Sequence, residues 1–314
     1  MENGSSTSSI DPVVIALGGN TLLGEHGPWS FDDQLEVIER TAAQIAIAID
    51  AGYDVVITHG NGPQVGTLLL QQERAEDTPQ LPLDVVVAET QAQIGYLLQQ
   101  ALDNELDGPT DFITVVTQVV VDADDPAFEQ STKPIGPFYT AAEAEESPFE
   151  TQRVSDGDRP FRRVVPSPEP VTIVEGEELE RLVRWDNLVI CAGGGGVPVV
   201  RDDGIRGVEA VVDKDKTSQL LASRLECDTF VILTDVENAY VGYGEPDQRP
   251  IERISVEELR SHLAAGEFGE GSMRPKVEAC LRFVEAGGTR AVITSPDRLT
   301  HALEGEAGTR VVRE

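Results

Sequence analysis

Lysine is scarce in this chain, and its few occurrences fall where positive charge could do chemistry. The lysines are Lys133, Lys214, Lys216 and Lys276, among 24 Lys and Arg residues in total. Two of them flank an aspartate in the stretch VVDKDKTSQL, directly before a predicted helix. Phosphoryl transfer requires positive charge that neutralises the charge developing on the moving group. A compact ammonium on a flexible stem suits an oxygen that changes position, so the pattern indicates phosphate chemistry.

The candidate catalytic residues follow from where these lysines lie. Lys214 stands beside Asp215 at the start of the helical pattern KTSQLLASRL, and Lys276 follows the glycine-rich GEGSMRP at another predicted helix start. A carboxylate between ammonium groups can orient them and favour their charged forms. Lys133 lies in TKPIGPF and is a further candidate, whereas Lys216 is expected on an outer helix face. Ordinary surface ion pairs are the alternative for each lysine.

Three glycine-rich segments follow predicted β-strands. They are LGGN after VVIAL, HGNGP after DVVIT, and four consecutive glycines after NLVICA. Glycine lets backbone N–H groups approach an anion closely, and the start of a following helix adds unpaired N–H groups. The segments match neither the Walker loop nor the dinucleotide fingerprint, and plain tight turns are the alternative. The candidates for binding substrate or phosphate are Gly18, Gly19, Asn20, Gly60, Asn61, Gly62, Gly194 and Gly195.

The order of elements predicts how these segments are brought together. Five apolar, β-rich runs, at 13–17, 54–58, 187–192, 229–234 and 291–294, alternate with stretches of helical periodicity. Such alternation predicts an α/β fold with a mainly parallel sheet covered on both faces. Ligands of these sheets bind beyond the carboxyl ends of the strands, which is where the glycine segments fall.

One segment interrupts the alternation. Residues 119–170 are rich in proline and acidic side chains, and we interpret them as a small lid inserted in the main domain, 13–314. The polar residues 1–12 are expected to form a flexible tail.

The charge balance excludes some classes of partner. The chain has 56 Asp and Glu residues and a formal net charge of −32. This field repels phosphate polymers and anionic membranes, so neither nucleic acid nor a membrane is expected as a partner. The composition resembles proteins of salt-loving organisms, in which salt screens the self-repulsion; an acidic mesophilic protein is the alternative. Three separated cysteines and the lack of a long apolar run or signal peptide favour a soluble cytoplasmic protein.

Several motifs, in order along the chain, carry a family resemblance. The stretches ALGGN, HGNGPQVG, TQVVVD, TKPIGPF, VVPSPEP, GGGGVPVV, GVEAVVDKD and GSMRPK resemble those of carbamate kinases in the amino-acid-kinase superfamily. The resemblance runs from about Val13 to Val312. It implies a three-layer αβα sandwich with a protruding subdomain, a homodimer, and Mg-ATP (Mg²⁺ with ATP or ADP) as cofactor. It also implies reversible phosphoryl transfer between ATP and carbamate, giving ADP and carbamoyl phosphate, usually towards ATP in arginine breakdown through the deiminase route.

The same resemblance implies individual roles. The family's functional asparagine falls on Asn20, its subdomain lysine on Lys133, and its late lysine on Lys276. Its Lys-Asp pair falls on Lys214 and Asp215. The nucleotide is expected near residues that follow the strand VILT or begin the last long helix, namely Thr234, Asp235, Tyr240 and Met273.

Two other functions stay open at this point. A kinase of the same fold could act on acetylglutamate or on a nucleoside monophosphate, but the site segments lack the arginine expected to clamp such substrates. A non-catalytic nucleotide sensor is expected to have lost Lys214 or Asp215, and both are present. Carbamate is already ionised and needs no general base, so His59 is expected to pack its loop.

Overall fold

The computed structural model describes residues 12–22, 30–75, 77–108, 111–269 and 273–314. Nearly all of the expected tail, 1–12, lies outside these ranges, as do Gly271 and Ser272 of the GSMRP motif.

Strands are distributed along the whole chain. In the described residues they are β1 (Val13–Leu17), β2 (Val55–His59), β3 (Phe112–Thr114), β4 (Gln118–Val121), β5 (Lys133–Tyr139), β6 (Thr151–Arg153), β7 (Phe161–Val165), β8 (Pro170–Ile173), β9 (Leu188–Cys191), β10 (Val197–Arg201), β11 (Ile205–Gly207), β12 (Thr229–Leu233), β13 (Tyr240–Val241), β14 (Arg249–Pro250), β15 (Arg253–Ser255), β16 (Arg290–Thr294) and β17 (Thr309–Val312).

The helices fall mostly between these strands. In the described residues they are α1 (Phe31–Asp50), α2 (Gly62–Arg74), α3 (Leu83–Glu105), α4 (Ala141–Glu145), α5 (Gly176–Arg184), α6 (Lys214–Arg224), α7 (Val256–Ala264), α8 (Met273–Glu285) and α9 (Leu299–Glu304).

The central sheet confirms the predicted fold class. Its eight described strands have the order β15-β17-β16-β12-β1-β2-β9-β3. Every pairing from β16 through β12, β1, β2 and β9 to β3 is parallel, and only β16 with β17 is antiparallel. The five predicted strand runs are β1, β2, β9, β12 and β16, and they lie side by side in this sheet.

Helices cover both faces of the sheet. Alternate residues of a strand point to opposite faces, and on β1 both sets of residues are apolar and buried. On β1, Val14 and Ala16 belong to an apolar cluster that includes Leu221 of α6 and Val277 of α8. Val13, Ile15 and Leu17 point the other way, into a cluster with apolar residues of α1, α3 and α9. The result is a three-layer αβα sandwich.

The segment interpreted as a lid divides into two parts. Its inner part forms a three-stranded antiparallel sheet, β5-β7-β6, with α4 packed beside it; we call this unit the small sheet. Its ends belong elsewhere, since β4 and β8 join β10 and β11 in a separate four-stranded sheet. The small sheet contacts α2 through β5, where a Cβ on Gly66 would lie 3.3 Å from the Cα of Gly136. This close contact brings β5 near the glycine segment that precedes α2.

In the part of the chain that the structure describes, no helix is both long and apolar enough to cross a membrane.

Candidate active site

The first two glycine segments meet at the carboxyl ends of β1 and β2. Gly18 N–H donates to Leu233 O at 2.9 Å, and Gly60 N–H donates to Leu17 O at 3.0 Å. A Cβ on Gly18 would lie 2.9 Å from that same Leu233 oxygen. A Cβ on Gly60 would lie 3.5 Å from both Gly19 N and Lys214 Cδ. The two turns therefore abut each other, and the stem of Lys214 lies against them.

These hydrogen bonds correct one expectation from sequence. Gly18 and Gly60 were expected to offer their N–H groups to an anion, but both donate to strand carbonyls. Their contribution is close backbone approach. The backbone of Asn20 begins a 3₁₀ turn, Asn20–Leu22. The side chain of Asn20 lies outside the described part, so its predicted role stays a prediction.

The third glycine segment packs against the second. Gly194 and Gly195 have φ values of 63° and 87°, in the left-handed region that favours glycine. A Cβ on Gly194 would lie 2.1 Å from Asn61 Nδ2, and one on Gly195 would lie 2.4 Å from Val212 O. Asn61 in turn donates from Nδ2 to Thr90 Oγ1 of α3 at 2.9 Å. The Asn61 side chain is thus held tightly between α3 and the glycine loop.

The start of α6 is fixed from several directions. Asp213 caps the helix, since its Oδ1 accepts from Asp215 N–H at 2.9 Å. Thr217 Oγ1 donates to Gly195 O at 2.9 Å, which ties α6 to the glycine loop. Ser218 Oγ donates to Lys214 O at 2.6 Å and is also 2.6 Å from Thr58 Oγ1 of β2. These bonds place the first turn of α6 at the edge of the sheet where the glycine turns lie.

One carboxylate holds two of the candidate lysines. Asp215 Oδ1 accepts from Lys214 Nζ at 2.5 Å, and Asp215 Oδ2 accepts from Lys276 Nζ at 3.2 Å. The three side chains are only 12%, 4% and 10% exposed, in the order Lys214, Asp215 and Lys276. Lys276 reaches Asp215 because α8 packs along α6. The two ammonium groups therefore converge at the starts of two helices.

Burial makes the charge of Lys214 sensitive to its neighbours. Desolvation lowers the pKa of Lys214 below its ordinary value, and Lys276 lowers that pKa further, while Asp215 and Asp213 raise it. The carboxylate of Asp215 therefore offsets part of the effect that burial has on the pKa of Lys214.

Lys133 reaches the same place from the small sheet. Its Nζ donates to Asp213 Oδ2 at 2.8 Å, and its side chain is 38% exposed. Burial would raise the pKa of Asp213, but Lys133 and Lys214 lower it below its usual range. Asp213 was not among the candidates from sequence. The available signal was its position immediately before Lys214, where a helix N-cap is expected.

One cavity of about 310 Å³ brings most of the candidates together. The predicted residues that line it are Lys133, Lys214, Asp215, Lys276, Gly19, Gly60, Asn61, Gly62 and Gly194. Gly18 and Gly195 lie directly behind it, against Leu233 and Val212. A larger cleft, of about 1080 Å³, lies between α2 and the small sheet, and among the described residues that line it there is none of the candidate lysines.

The four nucleotide candidates lie outside this cavity. Thr234 follows β12, where its Cα would be 3.7 Å from a Cβ on Gly18, and its Oγ1 donates to Asp235 Oδ1 at 3.0 Å. Tyr240 forms a tilted ring pair with Tyr243 at 6.0 Å. Met273 begins α8 and packs at the border of the apolar cluster beneath that helix. Thr234 and Asp235 are thus next to the first glycine turn, and the nucleotide role of all four stays a prediction.

His59 and Lys216 have the surroundings expected of packing residues. The His59 ring is buried with Nδ1 3.0 Å from Gly60 O, and a Cβ on Gly193 would lie 2.5 Å from its Cε1. Burial lowers the pKa of His59 to about 4, so the ring is neutral near pH 7. Lys216 points away from the cavity and pairs with Glu169.

Comparison with known proteins agrees with this geometry. The model of the Amino acid kinase family matches residues 11–295. A carbamate kinase of Halobacterium salinarum is 54% identical over 303 residues, which cover 96% of this chain and 98% of that protein. A carbamate kinase of Thermococcus kodakarensis is 48% identical over 314 residues, covering 96% and 99%.

A solved structure is similar over the same extent. The carbamate kinase from Giardia lamblia bound to AMP-PNP has a TM-score of 0.91 and 42% sequence identity, and the match covers 98% of this chain and 99% of that one. With a family match over most of its length and relatives this similar, the chain belongs to the amino acid kinase family.

Proposed function

We propose that this protein is a carbamate kinase, which transfers a phosphoryl group reversibly between ATP and carbamate to give ADP and carbamoyl phosphate. The observation that carries the proposal is the pairing of Lys214 and Lys276 on Asp215 in the wall of a cavity bounded by glycine turns. The similarity to carbamate kinases over nearly the full chain supports this choice of substrate.

The paired lysines suit the charge that the reaction develops. A carbamate oxygen forms a bond to the γ-phosphorus while the bond from that phosphorus to the bridging oxygen of ADP breaks. Negative charge is spread over the oxygens of the moving group and grows on the departing ADP. Lys214 and Lys276 would neutralise this charge from fixed positions, which requires little reorganisation during the reaction. Lys133 would bind the carbamoyl end from the small sheet.

The neutral part of the site has a complementary role. Gly18 and Gly60 let the backbone approach closely, while Gly19 and the start of α2 at Asn61 and Gly62 would supply N–H groups. The first N–H groups of a helix have no intrahelical acceptor, so they are suited to an anion. Thr234 and Asp235 would lie towards the nucleotide, with Tyr240 and Met273 further out.

Mg²⁺ fits this site as an ion that enters with the nucleotide. The two carboxylates in the cavity wall, Asp213 and Asp215, are already paired with ammonium groups. That donor set suits an ion held mainly by phosphate oxygens and water, as Mg²⁺ commonly is. When bound, Mg²⁺ would reduce the negative charge of the ATP phosphates.

The two alternative functions, a kinase for another substrate and a non-catalytic nucleotide sensor, are less well supported. The described lining of the 310 Å³ cavity contains no arginine that could clamp the carboxylate of acetylglutamate or the phosphate of a nucleoside monophosphate. A sensor without activity would not require both ammonium groups to be held on one carboxylate.

A homodimer, a cytoplasmic location and a role in arginine breakdown complete the proposal. Tyr96 and Val116 are 60% and 44% exposed and line a groove beside edge strand β3, together with polar residues such as Gln99 and Asn104, and this groove is the surface we expect a second copy to contact. Cys191, Cys227 and Cys280 are all buried and form no disulfide with one another, as suits a reducing compartment. The resemblance to carbamate kinases supports operation towards ATP at the end of the deiminase route.

The activity can be tested directly. Purified protein in concentrated KCl, supplied with Mg-ATP, bicarbonate and ammonia, is expected to release ADP, and with ADP and carbamoyl phosphate it is expected to form ATP. Lys276→Ala serves as the control, and its turnover should fall by about 10² or more, because one aimed charge is removed. ADP release that occurs only with acetylglutamate or UMP would exclude carbamate as the substrate.

His59 gives a second prediction, since the reaction needs no general base. Its pKa of about 4 lies below the ordinary value of 6.5, so the unfolded chain takes up a proton at a higher pH than the folded chain. His59 should therefore stay neutral from about pH 8 to 5.5, and the stability it contributes is lost as the pH falls from 6.5 towards 4. An NMR titration of the His59 ring resonances checks this. A His59 midpoint near 6.5 would contradict the prediction.

The charge excess gives a third prediction, which concerns salt. With a net charge of −32, the folded chain repels itself, and added salt screens that repulsion. We expect the unfolding temperature at neutral pH to rise as KCl is raised from about 0.1 M to about 2 M, with a smaller rise at a pH closer to the pI. Calorimetry at each salt concentration measures the effect. An unfolding temperature that falls or stays constant as KCl is added would indicate an ordinary acidic protein rather than one that depends on salt.

A further inference from the structure

Asp213 connects two parts of the site that come from separate elements. Its Oδ1 accepts from Asp215 N–H at 2.9 Å, in the first turn of α6. Its Oδ2 accepts from Lys133 Nζ at 2.8 Å, at the first residue of β5 in the small sheet. The side chain of Asp213 is 11% exposed and lines the same cavity as Lys214 and Lys276.

The contact with Asp213 restricts an otherwise mobile group. A lysine has a flexible four-carbon stem and three N–H donors, and a side chain that is 38% exposed can adopt many rotamers. Asp213 occupies one donor of Lys133 and so leaves two for oxygens of a ligand. The carboxylate also fixes where these two donors lie relative to Lys214, because it caps the helix on which Lys214 stands.

We propose that Asp213 is a positioning residue for the phosphoryl transfer. It holds the ammonium of Lys133, on the small sheet, at the cavity and so aligns it with Lys214 and Lys276. The proposal rests on the proposed carbamate kinase function. It assigns Asp213 an effect that acts through Lys133, in addition to its capping of α6.

Two substitutions separate this effect from helix capping. Asparagine and serine are both good N-cap residues, so Asp213→Asn and Asp213→Ser should each preserve the start of α6. Both remove the charged acceptor of Lys133. We expect the KM for carbamoyl phosphate to rise about tenfold or more, as for the loss of a charge-assisted hydrogen bond. The KM for ADP should change by less than about threefold, and the melting temperature should stay within about 3 °C of the wild type.

A double-mutant cycle with Lys133→Met tests whether Asp213 acts through Lys133. If it does, adding Asp213→Asn to Lys133→Met should change the KM for carbamoyl phosphate by less than about twofold. The same tenfold effect in both backgrounds would mean that Asp213 acts independently of Lys133, and this would overturn the proposal. A lower KM in Asp213→Asn would also overturn it, because the carboxylate would then act only by repelling the anionic substrate.

Failure of this inference differs from failure of the proposed function. If wild-type protein forms no ATP from ADP and carbamoyl phosphate, the function itself is wrong. If the wild type is active and both Asp213 variants, folded to the same melting temperature, have wild-type KM values, only the positioning role is wrong. Lys216→Ala is the matched control in the same helix, and its kinetics should equal those of the wild type, since Lys216 pairs with Glu169 outside the cavity.

Discussion

The site depends on one carboxylate that holds two buried ammonium groups. Two like charges lie close together and almost excluded from water, and burial lowers the pKa of Lys214 below its ordinary value. Asp215 offsets the repulsion between them by accepting a hydrogen bond from each lysine. The protein can therefore keep concentrated positive charge ready for phosphate oxygens, although the chain as a whole carries a large negative charge.

The rest of the fold fixes where this carboxylate lies. Asp215 stands in the first turn of α6, which Thr217 joins to the third glycine loop and Ser218 joins to the end of β2. Parallel strands β1, β2 and β9 end at the same edge, so the glycine turns that follow them meet there. Close packing requires glycine at 194 and 195, because a Cβ on Gly194 would overlap Asn61 and a Cβ on Gly195 would overlap Val212.

Much of this arrangement could be predicted from sequence because it depends on local patterns. Continuous apolar runs predicted β1, β2, β9, β12 and β16, since strands buried on both faces are apolar throughout. The scarcity of lysine singled out Lys133, Lys214 and Lys276, and the structure brings all three to one cavity. The packing role expected for His59 agrees with its burial against Gly60 and Gly193.

The features that sequence reasoning missed depend on contacts between distant residues. No local pattern shows that the N–H groups of Gly18 and Gly60 are used by carbonyls of neighbouring strands, since this follows from strand register. The partner of Lys133 is 80 residues away, so the pairing with Asp213 required the fold of the small sheet. The sequence also does not show that β4 and β8, at the two ends of the segment 119–170, pair with each other and that β4 pairs with β10 outside the small sheet.

The most direct test is the turnover of Asp215→Asn in the formation of ATP from ADP and carbamoyl phosphate, compared with that of Lys216→Ala in the same helix. An amide has no negative charge to pair with the two ammonium groups and cannot accept from both of them at two oxygens, so kcat of Asp215→Asn should fall by about 10² or more while its circular dichroism spectrum stays that of the wild type. Lys216→Ala should retain wild-type turnover. An Asp215→Asn protein that is folded and turns over at the wild-type rate would contradict the account.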